Sequence, residues 1–263
     1  MVKRNMQCKT WLGLLLLLVL ILAVPFRSAG AATDENYFFW RYSNPLVLEK
    51  WAAVLEYWGP LKNVEIPSTH AGKPVVGVEE NAFKGKGIIS IGIPSTVQYI
   101  ESSAFENNQL TLLTTPGSVR RICDNAFKNN LLRTITINEG IQSIGNGAFA
   151  NNQLADVTIY GKNISFGSGV FGSNPAAMVI HGDPGSSVEA YAASNGHAFK
   201  PILYKVNIAP SLHGQVTANI LESGVGTTIV LTVTPDSGYL LNTLKVDGVT
   251  QNLSYNTYTF APP

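Results

Sequence analysis

Histidine, cysteine and charge are all scarce in this chain of 263 residues: it has 4 His, 2 Cys and only 13% Asp, Glu, Lys and Arg. His70, His181, His197 and His213 are scattered, no Cys/His cluster has metal-ligand spacing, and no H-E-x-x-H occurs, so the sequence offers no metal site and no cofactor. Catalytic carboxylates are equally hard to find. Glu79-Glu80 is an adjacent pair of the kind that is solvated rather than set for acid–base work. Asp183 and Asp236 sit in DPGS and PDSG, where a turn accounts for them.

A membrane-spanning run is missing too. The longest apolar stretch, Trp11 to Val24, has 14 residues, short of the ~20 that a spanning helix needs. It follows the basic start MVKRNMQCKT and precedes SAGAAT, where Ala29 and Ala31 fit the small-residue rule for signal cleavage. The expectation is a signal peptide over 1–31, cleavage near Ala31, a mature chain from about Ala32 and no transmembrane segment in it; an uncleaved anchor is the alternative. Lys3, Arg4, Lys9 and Arg27 leave with the leader, so 14 basic residues then face 17 acidic ones, a net charge of −3. Such a balance argues against nucleic acid as a partner. Cys8 leaves as well, and the mature chain keeps only Cys123, too few for an internal disulfide.

What the chain does contain is a repeat. Ala-Phe recurs at Ala82-Phe83, Ala104-Phe105, Ala126-Phe127 and Ala148-Phe149, and Val170-Phe171 follows, each step 22 residues. Ile88, Leu110, Leu132 and Leu154 share that phase, as do Ile91, Leu113, Ile135 and Val157, and Ile100, Ile122, Ile144 and Phe166. A further column, Ile93, Thr115, Ile137 and Ile159, has one polar member. Asn107-Asn108, Asn129-Asn130 and Asn151-Asn152 keep the register. Each unit reads L-x-x-I-x-I-P-x-x-V-x-x-I-x-x-x-A-F-x-N-N-x. Its first half predicts a short strand, and its second half, apolar at spacings of three, predicts a tight turn or short helical segment ending at Ala-Phe. A lone unit presents about seven apolar side chains, worth ~1.5–3 kcal/mol each when buried. Ordering its backbone costs ~1–2 kcal/mol per residue, so the units must stack into a solenoid in which each covers the next.

These signatures, clearest in IGIPSTVQYIESSAFENNQL and ITINEGIQSIGNGAFANNQL, resemble the BspA-like bacterial leucine-rich repeats of the LRR_5 type over about Val54 to Phe199. The first unit, VEIPSTHAGKPVVGVEENAF, fits with a five-residue insertion at HAGKP, and MVIHGDPGSSVEAYAASNGHAF is similar to the family's terminal cap, a strand followed by a short helix. Thr115 departs from the pattern, as does Asn163, for which Ile164 is the expected substitute. The resemblance implies a leucine-rich-repeat solenoid of short strands plus turns or short helices over 53–200, with its C-terminal cap included.

Beyond Phe199 the period ends and Val, Thr and Gly take over. YKVNIAP, GQVTANI, TTIVLTVTP, LKVDGV and YTF read as strands separated by turn residues, predicting a small all-β domain over 204–263. GQVTA, TTIVLTVTPDSGY, LKVDG and YTF resemble the extracellular InlB B-repeat modules. Those modules usually continue with one more strand, so this one is expected to lack its last strand or to be truncated at Ala261-Pro262-Pro263. Residues 32–52 form a lead-in whose Tyr37, Phe38, Phe39 and Trp40 either cap the open end of the solenoid or form a contact patch.

Two local motifs invite chemical readings that the repeat removes. Cys123 occupies the place held elsewhere by Glu79, Glu101, Gly145 and Gly167, and no histidine falls in the three central units to activate a thiol, so it reads as packing. GSGVFG, Gly167 to Gly172, satisfies G-x-G-x-x-G but sits in an Ala-Phe-type turn instead of a strand-to-helix junction.

No enzyme is expected. The expectation is a secreted or cell-surface binding or adhesion protein whose partner is a protein or polysaccharide outside the cell; the family resemblance implies adhesion, and a structural envelope or matrix component without a specific ligand is the alternative. Phe83, Phe105, Phe127, Phe149 and Phe171 should form the structural core. Alternation in L-x-x-I-x-I turns Ser90, Leu112, Thr134, Asp156 and Gly92, Thr114, Thr136, Thr158 outward, with Tyr160 at one end. The candidate binding set is therefore Thr114, Thr134, Thr136, Asp156, Thr158 and Tyr160. These threonines serve either a flat partner or merely strand geometry.

Overall fold

The computed structural model describes residues 33–42, 52–209, 211–224, 227–240, 244–246, 249–251 and 257–260. The leader, its cleavage point, residues 43–51 of the lead-in and the terminal Ala261-Pro262-Pro263 lie outside these.

Each 22-residue unit forms one coil of a solenoid, and two parallel ladders run along it. The apolar-polar alternation of L-x-x-I-x-I makes the first, with strands Leu112–Thr115, Thr134–Ile137, Asp156–Ile159, Val179–Gly182 and Ala198–Pro201 paired in sequence order. The second ladder lies in the half of the unit whose spacing of three reads as a tight turn or short helical segment. The V-x-x-I half is no helical turn: Val97 and Val119 bury in the corner after the proline, and the chain then extends for two residues at Tyr99–Ile100, Arg121–Ile122, Ser143–Ile144 and Ser165–Phe166. These short strands stack in register and continue a sheet begun by Phe38–Tyr42, Ala52–Tyr57 and Lys73–Val78. A spacing of three obscures them because one residue of each three is spent turning the corner. Among the described residues the repeats hold no α-helix.

Between the ladders, the Ala-Phe turns build the centre of the core. Phe83, Phe105, Phe127, Phe149 and Phe171 are all buried and stack face to face, with centroids 4.9, 5.0, 5.4 and 5.7 Å apart. Tyr57 continues the column at 5.3 Å from Phe83, and Phe38 closes it at the N-terminal end, 5.2 Å from Tyr57. At the other end the only α-helix among the described residues, Ser187–Ser194, lays Val188, Tyr191 and Ala192 over the last coil. Ser186 caps that helix by accepting from Glu189 N, while Glu189 reaches back to Gly185 N.

The second asparagine of each pair is a structural device. Asn130 is buried; its Oδ1 accepts from Leu110 N at 3.1 Å, and its Nδ2 donates to Phe105 O at 2.9 Å and Phe127 O at 3.1 Å. Asn108, Asn152 and Asn174 repeat the arrangement. One amide thus satisfies backbone groups of two coils in a place that water does not reach. Asn107, Asn129 and Asn151 precede them with φ of 60°, 56° and 55°, a left-handed conformation that asparagine tolerates better than most residues.

The irregular units are accommodated locally. HAGKP becomes a hairpin between Thr69–His70 and Lys73–Val78, turned by Ala71 and Gly72, both at positive φ. Thr115 is fully buried, but its Oγ1 accepts from Asn138 N and its carbonyl from Asn138 Nδ2. Ile164 buries where Asn163 breaks the column. After residue 200 the chain forms small antiparallel sheets, the largest of Gly214–Ala218, Ile229–Pro235 and Thr257–Phe260, around Ile229, Leu231, Val233 and Leu244.

Candidate functional site

The outward rows of the long-strand ladder follow from strict pairing. Thr114, Thr136 and Thr158 are register partners in successive coils, as are Leu112, Thr134 and Asp156. Neighbours in such a ladder stand about 4.8 Å apart. The structure therefore brings Thr114, Thr134, Thr136, Asp156 and Thr158 onto one flat face. Tyr160 follows directly, its N–H donating to Ile137 O at 2.9 Å. It borders an open cleft of about 360 Å³ with Gly117, Asn138 and Glu139.

The rows end differently from the sequence expectation at both sides. Ser90 and Gly92 do not join the ladder, because Ser90–Gly92 pairs only with Asn63–Glu65. At the other end the threonine row continues into His181 and then Lys200, the register partners of Thr158 and His181. His181 Nε2 lies 3.3 Å from Asp156 Oδ1. Both residues escape a search at period 22, since the capping strands arrive one or more residues out of phase. The face thus runs from Leu112, 65% exposed, through hydroxyls to a His/Lys end. Tyr204, where the C-terminal strands begin, has its phenol pushed up by burial, then by the charges of Asp183 and Glu139 and by Tyr160.

The opposite face, over the two-residue strands, carries a charged chain. Arg41 Nη1 meets Glu79 Oε2 at 2.9 Å, Tyr99 Oη donates to Glu79 Oε1 at 3.3 Å, and Arg121 Nη2 meets Glu101 Oε1 at 2.7 Å. Burial pushes the Glu79 carboxyl up despite the offsetting pull of Arg41, and burial followed by the Glu79 charge pushes the Tyr99 phenol up strongly. Cys123 is buried, with Sγ 3.2 Å from Glu101 Oε2. In the full chain Cys123 is disulfide-bonded, whereas the expectation of no internal disulfide concerns the chain without its leader.

Two further motifs take their places in the coil. A Cβ at Gly145 would meet Asp124 N at 2.5 Å, and one at Gly167 would meet Asn146 N at 2.5 Å, so these glycines let successive turns approach. The G-x-G-x-x-G run is therefore a packing motif of the coil. Among the described residues no three His, Cys, Asp or Glu side chains group as metal ligands, and no helix is long and apolar enough to cross a membrane.

In the aromatic lead-in, Phe38 turns onto the ring column, and Trp40 stacks on His70 at 4.2 Å. Phe39 turns outward against Trp58, which Lys86 Nζ overlies at 4.9 Å.

A family model described as the BspA type leucine-rich repeat region matches residues 56–191 in 6 copies. One described as the divergent InlB B-repeat domain matches residues 204–263. No curated protein matches. Among solved structures, a leucine-rich-repeat protein of T. pallidum is 18% identical with a TM-score of 0.34, the match covering 65% of this chain and 98% of that one. A leucine-rich cell-surface protein of Faecalibacterium prausnitzii is also 18% identical, with a TM-score of 0.32 over 59% of this chain and 55% of that one. A leucine-rich-repeat protein of Bacteroides ovatus is 13% identical, with a TM-score of 0.21 over 58% and 70% of the two chains.

Proposed function

We propose, from the premise that this chain belongs to the BspA-type leucine-rich-repeat family, that it is exported and acts as a binding module outside the cell, its long-strand face meeting a protein or polysaccharide. Both of its repeat types are typical of bacterial surface and extracellular proteins. Adhesion is the finer role that this location suits. The proposal includes removal of residues 1–31, a solenoid over 53–200 and a separate β module over 204–263.

The observation that carries the reading is the in-register row Thr114, Thr136 and Thr158, ending beside Tyr160 and its cleft. A flat row of hydroxyls matches repeating groups on an extended or broad partner better than it encloses a small molecule. Phenol and threonine together offer an apolar edge and several donors and acceptors without a strong charge.

The test is a binding screen of the secreted protein against extracellular-matrix proteins and purified cell-wall glycans, repeated with Thr136→Lys and Tyr160→Ala. Both side chains lie outside the buried core, so the unfolding free energy should stay within about 0.5 kcal/mol of wild type. Binding to the captured partner should fall about tenfold or more in each variant. Full retention of affinity in both would remove the site from this face. Failure to bind either class would favour a structural role in the envelope.

A further inference from the structure

The long-strand ladder has a gap. On either side of it, consecutive coils are joined along their whole length: Leu131 N donates to Leu110 O, Arg133 N to Thr111 O, four residue pairs then align as strand, and Gln142 N donates to Arg120 O. Between the coil of Ser90–Gly92 and that of Leu112–Thr115 the two ends are fastened in the same way, by Gln109 N to Ile88 O at 2.8 Å and Arg120 N to Gln98 O at 2.7 Å. Between those two bonds, among the described residues, no backbone hydrogen bond crosses, and the strands belong to separate sheets.

The direction of the unpaired groups follows from those that are paired. Ser90 N donates to Lys62 O, and Gly92 O accepts from Ile66 N, so residues 90 and 92 face the preceding coil. Alternation then turns the N–H and C=O of Ile91 and Ile93 toward the gap. On the far lip, Thr111 O accepts from Arg133 N and Thr115 O from Asn138 Nδ2, so 111, 113 and 115 face the following coil. Leu112 and Thr114 therefore present N–H and C=O to the gap. Side chains record the same opening: Ile135, Ile137, Val157 and Ile159 are fully buried, whereas Ile91 and Ile93 in the equivalent columns are only half-buried.

We propose that this gap is a docking slot for an extended polypeptide, which pairs along the lip Leu112–Thr114 and sets alternate aliphatic side chains on Ile91 and Ile93. Two lips of alternating donor and acceptor, repeating about every 6.6 Å, match the main chain of a β-strand and no common glycan. Half-buried isoleucines on the floor, with Leu112 at the rim, select small branched or aliphatic side chains at every second position. The slot uses main-chain groups of Leu112 and Thr114, whereas the proposed threonine row, Thr114 included, would use side chains on the outer surface.

Hydrogen exchange on the full-length protein tests this directly. With no ligand, the amides of Leu112 and Thr114 should exchange faster than those of Thr134 and Thr136, which occupy the same positions one coil on and are paired. The probe is an acetylated synthetic peptide of residues 132–138, whose strand the lip's far edge already accepts. It should slow exchange in 88–95 and 111–116, and the same peptide carrying Ile135→Pro should bind about tenfold more weakly or worse. Thr114→Pro in the protein removes an N–H that only the slot uses and should abolish the protection, while Thr136→Lys should leave it intact and affect only the ligand of the outer face. Equal protection of Leu112 and Thr134 without peptide would overturn the slot. So would an absence of peptide-dependent protection there, or protection confined to the outer strand Ala198–Pro201. The wild-type exchange contrast and the paired peptides decide the matter even if Thr114→Pro fails to fold.

Discussion

Asn129 and Asn130 are neighbours of the same type with different duties. Asn130 lies in the dry interior and serves backbone groups of two coils, so Asn130→Ala strands Leu110 N–H, at ~1–3 kcal/mol when buried and unpaired, while Phe105 O and Phe127 O each keep one donor, Asn108 Nδ2 and Asn152 Nδ2. A loss of about 1–3 kcal/mol is expected by urea unfolding. Asn129 instead donates outward to Asn107 Oδ1 at 2.7 Å from a left-handed backbone, so Asn129→Gly should change stability by less than about 1 kcal/mol. Comparable losses in the two variants would contradict this division. Glu79 supplies a pH signature of the opposite face. Burial holds its folded-state pKa above the ordinary 4.5, so its stability contribution is full below pH 4.5 and is lost as pH rises through the folded-state value. Glu79→Gln removes that dependence, and the stability of the variant relative to wild type should climb between pH 4 and pH 7 in parallel denaturation series. A flat difference would mean that the carboxyl titrates alike in both states.

At the scale of the element, legibility followed periodicity. The Ala-Phe column, the leucine column and the outward threonines all lie at step 22, and all appear where that step places them. Two-residue strands such as Arg121–Ile122 escaped because so short a stretch has room for only one buried residue, and a lone isoleucine carries no alternation to detect. His181 and Lys200 escaped because the cap is out of phase with the repeat, although pairing puts them on the same row. The gap beside Leu112 escaped for a different reason: Ile91 and Ile93 fit the repeat perfectly well as letters, and only backbone geometry distinguishes a closed seam from an open one. The asparagine pairs were visible as a regularity, but their hydrogen bonds to carbonyls of two coils depend on stacking that no single unit contains.

For the whole molecule, stability is shared between neighbours, since each coil has no covered core of its own. Phe127 touches a ring on either side, so Phe127→Ala opens a cavity between coils on both sides and should cost ~3–5 kcal/mol in denaturant unfolding. A loss below about 0.5 kcal/mol would show that the column is not a packed core. The same column has a mechanical consequence. One ring is added for every 22 residues, at centroid intervals of 4.9 to 5.7 Å, and adjacent coils hold each other by contacts that can be undone one coil at a time. Pulled along its axis, the protein would exchange about 5 Å of folded height for roughly 75 Å of released chain with each coil that peels away. A single-molecule pulling trace should therefore lengthen in discrete steps of one coil.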